Sequence, residues 1–407
     1  MQETTVNLRT LLWYENKEIT LSFPPQWNLN IYHMEGYNNR QLNEKEIKLA
    51  FSKTIGSKRI CDLAKTRKEA VIIFDDMTRP TPVYLLVPHI LEELNKGGIT
   101  DDHIRFISAL GSHAPMDRED LVKKLGENIV EEFPVFNHNP FGNLTDIGMT
   151  TRETPVKINR EVMSCDLKIG VGLVCPHGMS GFGGGAKIIL PGVSSIDTIL
   201  ANHKLLPMKW GITEGVPLFQ DMNEAARMAS LDIKVDTIVN GRANITSLYV
   251  GDFVAEHREA VKMAKSVYNI PIQKKYDIVV ANAYLKHNEV PLTIRLIKRV
   301  IKNGGTAVII DNEPKGPVWH YLEGKFGKKF GGPFCALSRN LNGVGKVIIY
   351  SQYKLKDPWY PLYEPDQQIW IKDWKEVIEE LRNIYKDKAN VAVIPEASIA
   401  IPRTLLN

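Results

Sequence analysis

At 407 residues and 43% hydrophobic composition, the chain is longer than one ordinary hydrophobic core supports, so we expect two domains. Its formal net charge is only +4, from 51 basic and 47 acidic residues, and no basic run stands out. This balance disfavours a nucleic-acid partner and favours a small polar or anionic ligand. The sequence lacks a membrane-spanning apolar stretch, an apolar leader after Met1 and any CxxC pair, so we expect the reducing cytoplasm.

The first part of the chain alternates short apolar runs with amphipathic helical stretches. Predicted strands lie at residues 5–11, 17–23, 70–74, 104–110 and 167–175, and predicted helices at residues 44–55, 83–95 and 118–125. Apolar runs that alternate with helices indicate parallel β-α-β units. The pattern changes at residues 233–250, where two strand-like runs flank Asn240-Gly241 and predict an antiparallel hairpin. Asp252 then stands where it would cap a helix running to residue 268.

A second α/β pattern begins after residue 270. Its predicted strands lie at residues 276–281, 306–311, 345–351 and 390–394, and its predicted helices at residues 292–302 and 372–385. We therefore predict an α/β fold of two domains, residues 1–270 and residues 271–407, each with a largely parallel sheet. An active-site cleft is expected between the two domains, and the last residues are free to return to the first domain.

Polar loops follow three predicted strands of the first domain, where open parallel sheets bind their ligands. The first loop, DDMTRP at residues 75–80, contains Arg79. An arginine directly after a strand can grip a carboxylate or phosphate through two parallel hydrogen bonds, and a nearby aspartate can orient it. A surface arginine in a proline-stiffened loop explains this loop alone equally well.

The second and third loops carry groups suited to proton transfer and covalent attachment. His113, in the second loop, can act as a general acid or base, although a single loop histidine is more often structural. The third loop, PHGMSGFGGGAK at residues 176–187, has five glycines in eight residues, which let the backbone approach a ligand closely. It fits neither a phosphate-binding Walker loop nor a dinucleotide-binding GxGxxG turn. Lys187 is then a phosphate-binding charge, a nucleophile or an exposed side chain.

His203 follows Lys187 by sixteen residues and lies on a predicted helix. Helical histidines are usually satisfied surface or core groups, but imidazole suits nickel, copper and zinc. The sequence offers His203 no HxH or HxxxH partner. One histidine makes sense as a metal ligand only if a cofactor supplies the other donors.

Together, the three loops and the trailing histidine resemble the nickel-dependent lactate racemase family. The resemblance covers residues 71–252 well and the second half more loosely. The DxxTRP-like loop, the G[ST]H loop, the PHG…GGGAK loop and the histidine stand in the family's order and spacing, which is more specific than any one motif. The cofactor that the resemblance implies is a nickel-pincer nucleotide, nickel pyridinium-3,5-bisthiocarboxylic acid mononucleotide.

The resemblance also implies individual roles. Lys187 matches the lysine that holds the pincer covalently, and His203 matches the histidine that completes nickel coordination. His113 and His177 match two histidines that flank the substrate and exchange its hydroxyl proton. Cofactor contacts are implied for Asp75, Thr78, Gly183, Gly184 and Gly185, and substrate contacts for Arg79 and Asp76.

The chemistry implied by these roles is inversion of a hydroxyl-bearing carbon. One histidine takes the hydroxyl proton while hydride leaves the same carbon for the pincer. The planar carbonyl then takes hydride back on its other face, and the opposite histidine returns the proton. In this scheme the cofactor performs the hard step, and the protein supplies position and electrostatics.

Departures from the family's pattern bear on the substrate. The lactate enzymes hold the carboxylate with a Tyr-Pro segment followed by Gln and Lys; here Lys298 takes the lysine's place and Arg295 stands where Gln would be. A tryptophan that shields lactate is missing, and GGPFC at residues 331–335 occupies that neighbourhood. We hypothesise a 2-hydroxy acid or sugar acid longer than lactate, with Arg295, Lys298 or His287 as extra contacts. An amphipathic helix with Arg295 and Lys298 on its solvated face is as good an interpretation.

Two other functions stay open at this point. A metal-assisted hydrolase or lyase would need at least three protein ligands and an open metal position, and the sequence shows no close ligand cluster. A non-catalytic carrier of the nickel nucleotide would not need His113 or His177. The expected partners are a small hydroxy acid or sugar acid and the proteins that build the cofactor, with neither nucleic acid nor membrane.

Overall fold

The computed structural model describes residues 3–207, 209–323, 327, 329, 343–354 and 368–406. Contacts divide the chain into two units. The large unit comprises residues 38–267 and the described residues between 319 and 336. The small unit comprises the residues up to Tyr37, residues 268–318 and the described residues from 343 onward.

This division corrects the expected single boundary near residue 270. Residues up to Tyr37 belong with the small unit because Asn28–Ile31 extends its sheet as a parallel strand beside Asn390–Ile394. Residues 319–323 belong with the large unit because His320 forms a β-bridge with His113. Pairings of this kind join segments that are far apart in the sequence, so a boundary drawn from chain order cannot anticipate them.

The strands of both units are numbered along the chain. They are β1 (Thr4–Arg9), β2 (Glu18–Phe23), β3 (Asn28–Ile31), β4 (Ala70–Asp75), β5 (Ile104–Ala109), β6 (Val135–Asn137), β7 (Leu144–Met149), β8 (Pro155–Asn159), β9 (Leu167–Leu173), β10 (Pro176–His177), β11 (Ser180–Phe182), β12 (Lys209–Trp210), β13 (Ile233–Val239), β14 (Ile245–Gly251), β15 (Asn269–Ile270), β16 (Tyr276–Asn282), β17 (Ile301–Ile310), β18 (Val344–Tyr350), β19 (Gln368–Ile371), β20 (Asn390–Ile394) and β21 (Ile401–Pro402).

The α-helices are numbered in the same way. They are α1 (Glu44–Ser52), α2 (Ile60–Ala64), α3 (Val87–Lys96), α4 (Arg118–Leu125), α5 (Glu127–Glu132), α6 (Arg160–Ser164), α7 (Ile196–His203), α8 (Pro217–Met228), α9 (Ala255–Val267), α10 (Pro291–Val300) and α11 (Trp374–Tyr385). Short 3₁₀ turns occupy Val83–Leu85, Asp101–His103, Gly185–Ile188, Tyr284–Lys286 and Arg403–Leu405.

A six-stranded sheet in the order β14-β13-β9-β4-β5-β6 forms the base of the large unit. Its neighbours are parallel except β14, which runs antiparallel to β13 and confirms the predicted hairpin. β4 and β9 are buried along their whole length, as central parallel strands covered on both faces should be. Phe74 lies opposite Val171, and Asp75 lies opposite Ala109, so β9, β4 and β5 end at one edge of the sheet.

The small unit has a six-stranded sheet in the order β19-β18-β17-β16-β20-β3, and all of its neighbours are parallel. The β1-β2 hairpin packs against this sheet through Leu8 and Phe23, together with Trp374 of α11. The prediction of largely parallel sheets in an α/β fold is therefore confirmed. Because β1 to β3 share the small unit's core, the start of the chain is as much a part of that unit as its end.

Each unit has its own hydrophobic core. In the large unit, Val71 and Ile73 of the central strand pack with Ile199 of α7 and Phe219 of α8. Burial of each such side chain stabilises the fold by about 1.5–3 kcal/mol, so the loops at the sheet edge rest on a rigid base. Among the described residues, no helix is long and apolar enough to cross a membrane.

Candidate active site

Three polar loops of the large unit follow neighbouring parallel strands. Residues 76–82 follow β4, residues 110–117 follow β5, and the glycine-rich residues 174–187 follow β9. Because β9, β4 and β5 are adjacent and run in one direction, the three loops emerge at the same edge of the sheet. This is the edge at which parallel sheets bind ligands.

The loop after β4 is held by a buried ion pair. Asp75 Oδ1 lies 2.8 Å from Nζ of Lys124, which is completely buried. Lys124 also donates to the carbonyl oxygens of Arg79, at 2.8 Å, and Thr81, at 3.1 Å. Burial raises the pKa of Asp75 and lowers the pKa of Lys124, and their attraction opposes both shifts. Loss of one partner would strand a buried charge at a cost of roughly 3–5 kcal/mol, so Asp75 stabilises the loop itself.

Asp76 forms a close pair with His113 across two loops. Its Oδ2 lies 2.5 Å from His113 Nδ1, and its Oδ1 accepts a hydrogen bond from the Thr78 N–H at 3.0 Å and another from the Thr78 hydroxyl. Burial works to raise the pKa of Asp76, but His113 and Arg79 outweigh it and hold that pKa well below its usual value. Asp76 therefore orients the His113 ring through Nδ1, and its expected contact with substrate stays a prediction.

Arg79 joins the same network through Thr78. Its Nη1 donates to Thr78 Oγ1 at 2.7 Å and to the Thr78 carbonyl oxygen at 3.1 Å. Thr78 is 1% exposed, so its hydroxyl links the guanidinium to Asp76 inside the loop. The half-buried Arg79 is thus tied through Thr78 to Asp76, and its guanidinium is a group that can bind an anion.

A histidine that the sequence did not single out lies beside His113. His320 forms a β-bridge with His113, and the two rings meet edge to face with centroids 5.1 Å apart. The Ser112 hydroxyl lies 3.2 Å from His320 Nε2 and 3.3 Å from Nδ1. His320 stands in a stretch with no motif and more than two hundred residues from its partner, so no local signal could have identified it.

His177 stands at the end of a small hairpin formed by β10 and β11. Its Nδ1 lies 3.0 Å from the Ser180 hydroxyl, and this hydroxyl donates to the carbonyl oxygen of Phe182 at 2.9 Å. The N–H groups of Met179 and Ser180 lie farther from Nδ1, at 3.3 Å each. His177 is therefore oriented through Nδ1, as His113 is, but by a hydroxyl instead of a carboxylate.

Lys187 and His203 lie close enough to interact electrostatically. Lys187 is half-buried in the 3₁₀ turn that follows the glycines, and His203 is the last residue of α7. Burial and then the Lys187 charge lower the pKa of His203 to about 3, so its ring is neutral at pH 7. Its Nδ1 donates to Oδ1 of Asn202 at 3.2 Å, which fixes the orientation of the ring.

Asn202 cannot easily turn away from His203, because its own amide is fixed. Asn202 Nδ2 donates to the Leu218 carbonyl oxygen at 3.1 Å and to Asp221 Oδ2 at 2.8 Å. In the part of the chain that the structure describes, no group of three or more His, Cys, Asp or Glu side chains is arranged to hold a metal ion.

The other predicted contacts belong to the small unit. Arg295 and Lys298 lie on the exposed face of α10, and partial burial, followed by the Arg295 charge, lowers the pKa of Lys298. His287 is buried in a pair with Glu313. The GGPFC segment at residues 331–335, noted for the absent tryptophan, lies outside the described residues.

Comparisons with known proteins agree on one family. Residues 14–215 match the family described as the lactate racemase N-terminal domain. The chain is 30% identical over 253 residues to the lactate racemase of Thermoanaerobacterium thermosaccharolyticum, which is 60% of this chain and 59% of that protein. It is also 30% identical over 242 residues to the lactate racemase of Lactiplantibacillus plantarum, which is 58% of this chain and 57% of that protein. The sequence matches thus span less than two thirds of these relatives.

The fold is similar over a greater length than the sequence. The structure of the lactate racemase apoprotein from T. thermosaccharolyticum matches with a TM-score of 0.75 at 24% identity, covering 98% of this chain and 100% of that one. A crystal structure of a Thermotoga maritima protein matches with a TM-score of 0.64 at 18% identity, covering 90% of this chain and 100% of that one. At these identities, the two matches concern the fold.

Proposed function

The chain belongs to the lactate racemase family, and we propose that it is an isomerase that inverts the hydroxyl-bearing carbon of a 2-hydroxy acid or sugar acid. The observation that carries the proposal is the setting of His113. It is paired with a buried carboxylate at the sheet edge where the neighbouring loop holds His177 and Lys187. Two histidines oriented through Nδ1 are the groups that such a reaction needs to exchange a hydroxyl proton.

The residues present fit a nickel-pincer nucleotide. Lys187 is a lysine in a loop of tightly packed glycines, and His203 is a buried neutral imidazole whose ring is oriented through Nδ1. A pincer that carries its own carbon and sulfur donors would need only one protein imidazole, and imidazole suits nickel. Lys187, His203 and the glycines at residues 183–185 would hold the group, with Asp75 and Thr78 shaping the neighbouring loop. When bound, it supplies a hydride acceptor.

The chain's own residues then move the proton and hold the substrate. His113, oriented by Asp76, takes or returns the hydroxyl proton through Nε2. His177 exchanges the proton from the glycine-rich loop after β9, oriented by Ser180. Arg79, tied to Asp76 through Thr78, binds the substrate carboxylate. The protein's contribution is therefore position and charge around one carbon atom.

The first test is the intact mass and nickel content of protein co-produced with the proteins that build the pincer. We expect a covalent mass increase and about one nickel ion per chain. The Lys187→Ala variant should lose the adduct while remaining folded. Parent protein without adduct and nickel, under conditions that load a known racemase of this family, would contradict the cofactor assignment.

The second test separates an isomerase from a carrier of the nickel nucleotide. Inversion at C2 should be measured by chiral chromatography, from each pure enantiomer, across hydroxy acids and sugar acids of increasing length. The double variant His113→Asn, His177→Asn should keep its adduct and lose inversion by a factor of about 10²–10⁴. Inversion that is absent in the loaded parent on every substrate would favour the carrier.

We further propose a substrate longer than lactate, with Arg295 and Lys298 as additional contacts. Both are cationic and exposed on one face of α10, and such groups bind carboxylates and hydroxyls through charge-assisted hydrogen bonds. Arg295→Gln and Lys298→Gln should raise KM for the longer acids and leave lactate unaffected. Unchanged KM values for every substrate would identify the two side chains as a solvated helix face.

A further inference from the structure

Two buried side chains support the backbone of the glycine loop from the sheet and from α9. Asp236 of β13 accepts a hydrogen bond from the Gly185 N–H through Oδ2 at 2.6 Å. His257 of α9 donates from Nε2 to the carbonyl oxygen of Gly183 at 2.8 Å. Asp236 is completely buried and His257 is 3% exposed, so both bonds are shielded from water. The loop is therefore fixed on either side of Gly184.

The glycines lie so close to these supports that no larger residue fits. A Cβ at Gly184 would stand 2.7 Å from Asp236 Oδ2 and 2.5 Å from Val174 Cγ2. A Cβ at Gly185 would stand 3.0 Å from the His257 ring. Gly184 and Gly185 also have φ angles of +81° and +55°, which side chains disfavour. The glycines thus bring the backbone into contact with Asp236 and His257 and do not serve flexibility.

Asp236 belongs to a buried charged pair. Its Oδ1 lies 2.5 Å from Nζ of Lys234, and both side chains are completely buried. Burial works to raise the pKa of Asp236, but Lys234, the Gly185 N–H and His257 hold that pKa below its usual value. Gly170 of β9 leaves the space for Lys234, since a Cβ there would stand 2.7 Å from its Cδ. Asp236 is thus a full carboxylate acceptor for the loop.

Glu256, next to His257 on α9, is completely buried. Burial, and then the charge of Asp236, raise the pKa of Glu256 well above its usual value, which favours its protonated form. The ion pair under the loop is that of Asp236 and Lys234. Pairing of this kind is what completely buried charges require.

Lys187 lies two residues beyond the anchored Gly185 N–H, in the turn Gly185–Ile188. Because Asp236 holds the first residue of this turn, it sets where the Lys187 side chain leaves the backbone.

We infer that His257 and Asp236 are positioning residues that fix the glycine loop so that the Lys187 amine keeps one place beside His203. The inference concerns the placement of the amine and rests on the proposed function only for what Lys187 binds. Without these two hydrogen bonds, the backbone on either side of Gly184 would lose its polar contacts to β13 and α9, and Lys187 would move with it.

Paired variants at position 257 test the inference on the apoprotein. His257 stacks on Phe219, with centroids 5.0 Å apart and an interplanar angle of 29°. His257→Phe keeps an aromatic ring for this stack but removes the donor to Gly183, whereas His257→Gln keeps an N–H donor. The measurement is the rate at which acetic anhydride acetylates Lys187, followed by peptide mass spectrometry. Lys262, whose side chain is 66% exposed, is the internal reference in the same sample.

We expect His257→Phe to raise the relative rate at Lys187 about fivefold, because the half-buried amine becomes accessible when one anchoring hydrogen bond is lost. His257→Gln should restore the parent rate. Equal rates in folded parent and folded His257→Phe protein would overturn the inference, as would a raised rate that Gln does not restore.

A second pair keeps the test decisive if His257→Phe fails to fold. The first double variant, Lys234→Met with Asp236→Asn, removes both charges and keeps an acceptor for the Gly185 N–H. The second, Lys234→Met with Asp236→Leu, removes the acceptor as well. Only the second should raise the rate of Lys187 acetylation, and equal rates in the two would overturn the inference. A parent that never acquires an adduct during co-production would contradict the proposed cofactor, while these rates on apoprotein would still decide the placement of Lys187.

Discussion

The two candidate acid–base histidines are both held at Nδ1, but by groups of different charge. His113 Nδ1 faces the carboxylate of Asp76 at 2.5 Å, whereas His177 Nδ1 faces the Ser180 hydroxyl at 3.0 Å. A carboxylate stabilises a protonated imidazole far more than a hydroxyl does, because hydrogen bonds to ionised groups are about twice as strong. The N–H groups of Met179 and Ser180 also lie against His177 Nδ1, at 3.3 Å each.

The two histidine loops of this candidate racemase site are therefore not equivalent. In the loop after β5, the carboxylate of Asp76, whose pKa is held below its usual value, faces Nδ1 of His113. In the loop after β9, the Ser180 hydroxyl and two backbone N–H groups face Nδ1 of His177. Inversion from one enantiomer would then begin at the carboxylate-backed histidine, and inversion from the other at the hydroxyl-backed one.

The largest expected effect comes from removing either imidazole. His113→Asn and His177→Asn should each lower the rate of racemisation by a factor of about 10²–10⁴, the usual contribution of a general acid or base. The rate should be measured from each pure enantiomer on protein whose adduct and nickel content match the parent. Loss confined to one of the two variants would mean that only one histidine handles the proton, and the comparison would fail.

Asp76→Asn tests the carboxylate side of the comparison. The amide can still accept a hydrogen bond at Nδ1, but it cannot stabilise a charged ring, so we expect racemisation to fall about 10²-fold. The measurement is kcat and KM, together with the thermal unfolding midpoint. A rise in KM with unchanged kcat would instead assign Asp76 to substrate binding, the role expected from the sequence.

A third histidine shows what an imidazole does when both of its partners are neutral. His138 Nε2 lies 2.9 Å from the Ser194 carbonyl oxygen, and Nδ1 accepts from the Asn159 amide at 3.2 Å. Burial lowers the pKa of His138 to about 4. Between pH 6.5 and pH 4 the unfolded chain binds a proton at His138 that the folded chain does not bind. The contribution of His138 to the free energy of unfolding is therefore present above pH 6.5 and is lost as the pH falls towards 4.

The expected slope for His138 is about 1.4 kcal/mol of unfolding free energy per pH unit within that window. Denaturant unfolding of the parent and of His138→Gln at pH 6.5 and pH 4.5 measures it. Glutamine keeps a donor for Ser194 and does not titrate, so the variant should lose less stability on acidification than the parent. An identical loss in both proteins would show that His138 accepts a proton in the folded state.

The sequence predicted the groups at the site better than it predicted their partners. β4, β5 and β9 are apolar runs that a buried parallel strand requires, and polar loops after such strands mark a ligand edge, so the loops of His113 and His177 could be predicted. The pairing of Asp76 with His113 depends on which strands are neighbours. Chain order does not state this, although β4 and β5 follow each other in the sequence.

Partners from distant segments could not be predicted from the sequence for a different reason. Lys124 lies on a helix whose sequence has the pattern of an ordinary amphipathic surface helix. His320 lies in a stretch without a motif. β3 was missed because a four-residue strand carries too little pattern to predict. Lys234 and Asp236 did leave a signal, since two opposite charges two residues apart in an otherwise apolar strand share one buried face.

The smallest expected effect lies on the hydroxyl side of the comparison. Ser180→Ala removes the oxygen that Nδ1 of His177 faces and leaves the two backbone N–H groups at 3.3 Å. A neutral hydrogen bond contributes about 1 kcal/mol, so racemisation should fall about fivefold, well short of the loss in Asp76→Asn. Ser180→Thr, which keeps the hydroxyl, is the matched control. If Ser180→Ala were as damaging as Asp76→Asn, the hydroxyl would orient its ring as strongly as the carboxylate does, and the charge of the partner would not be what distinguishes the two histidines.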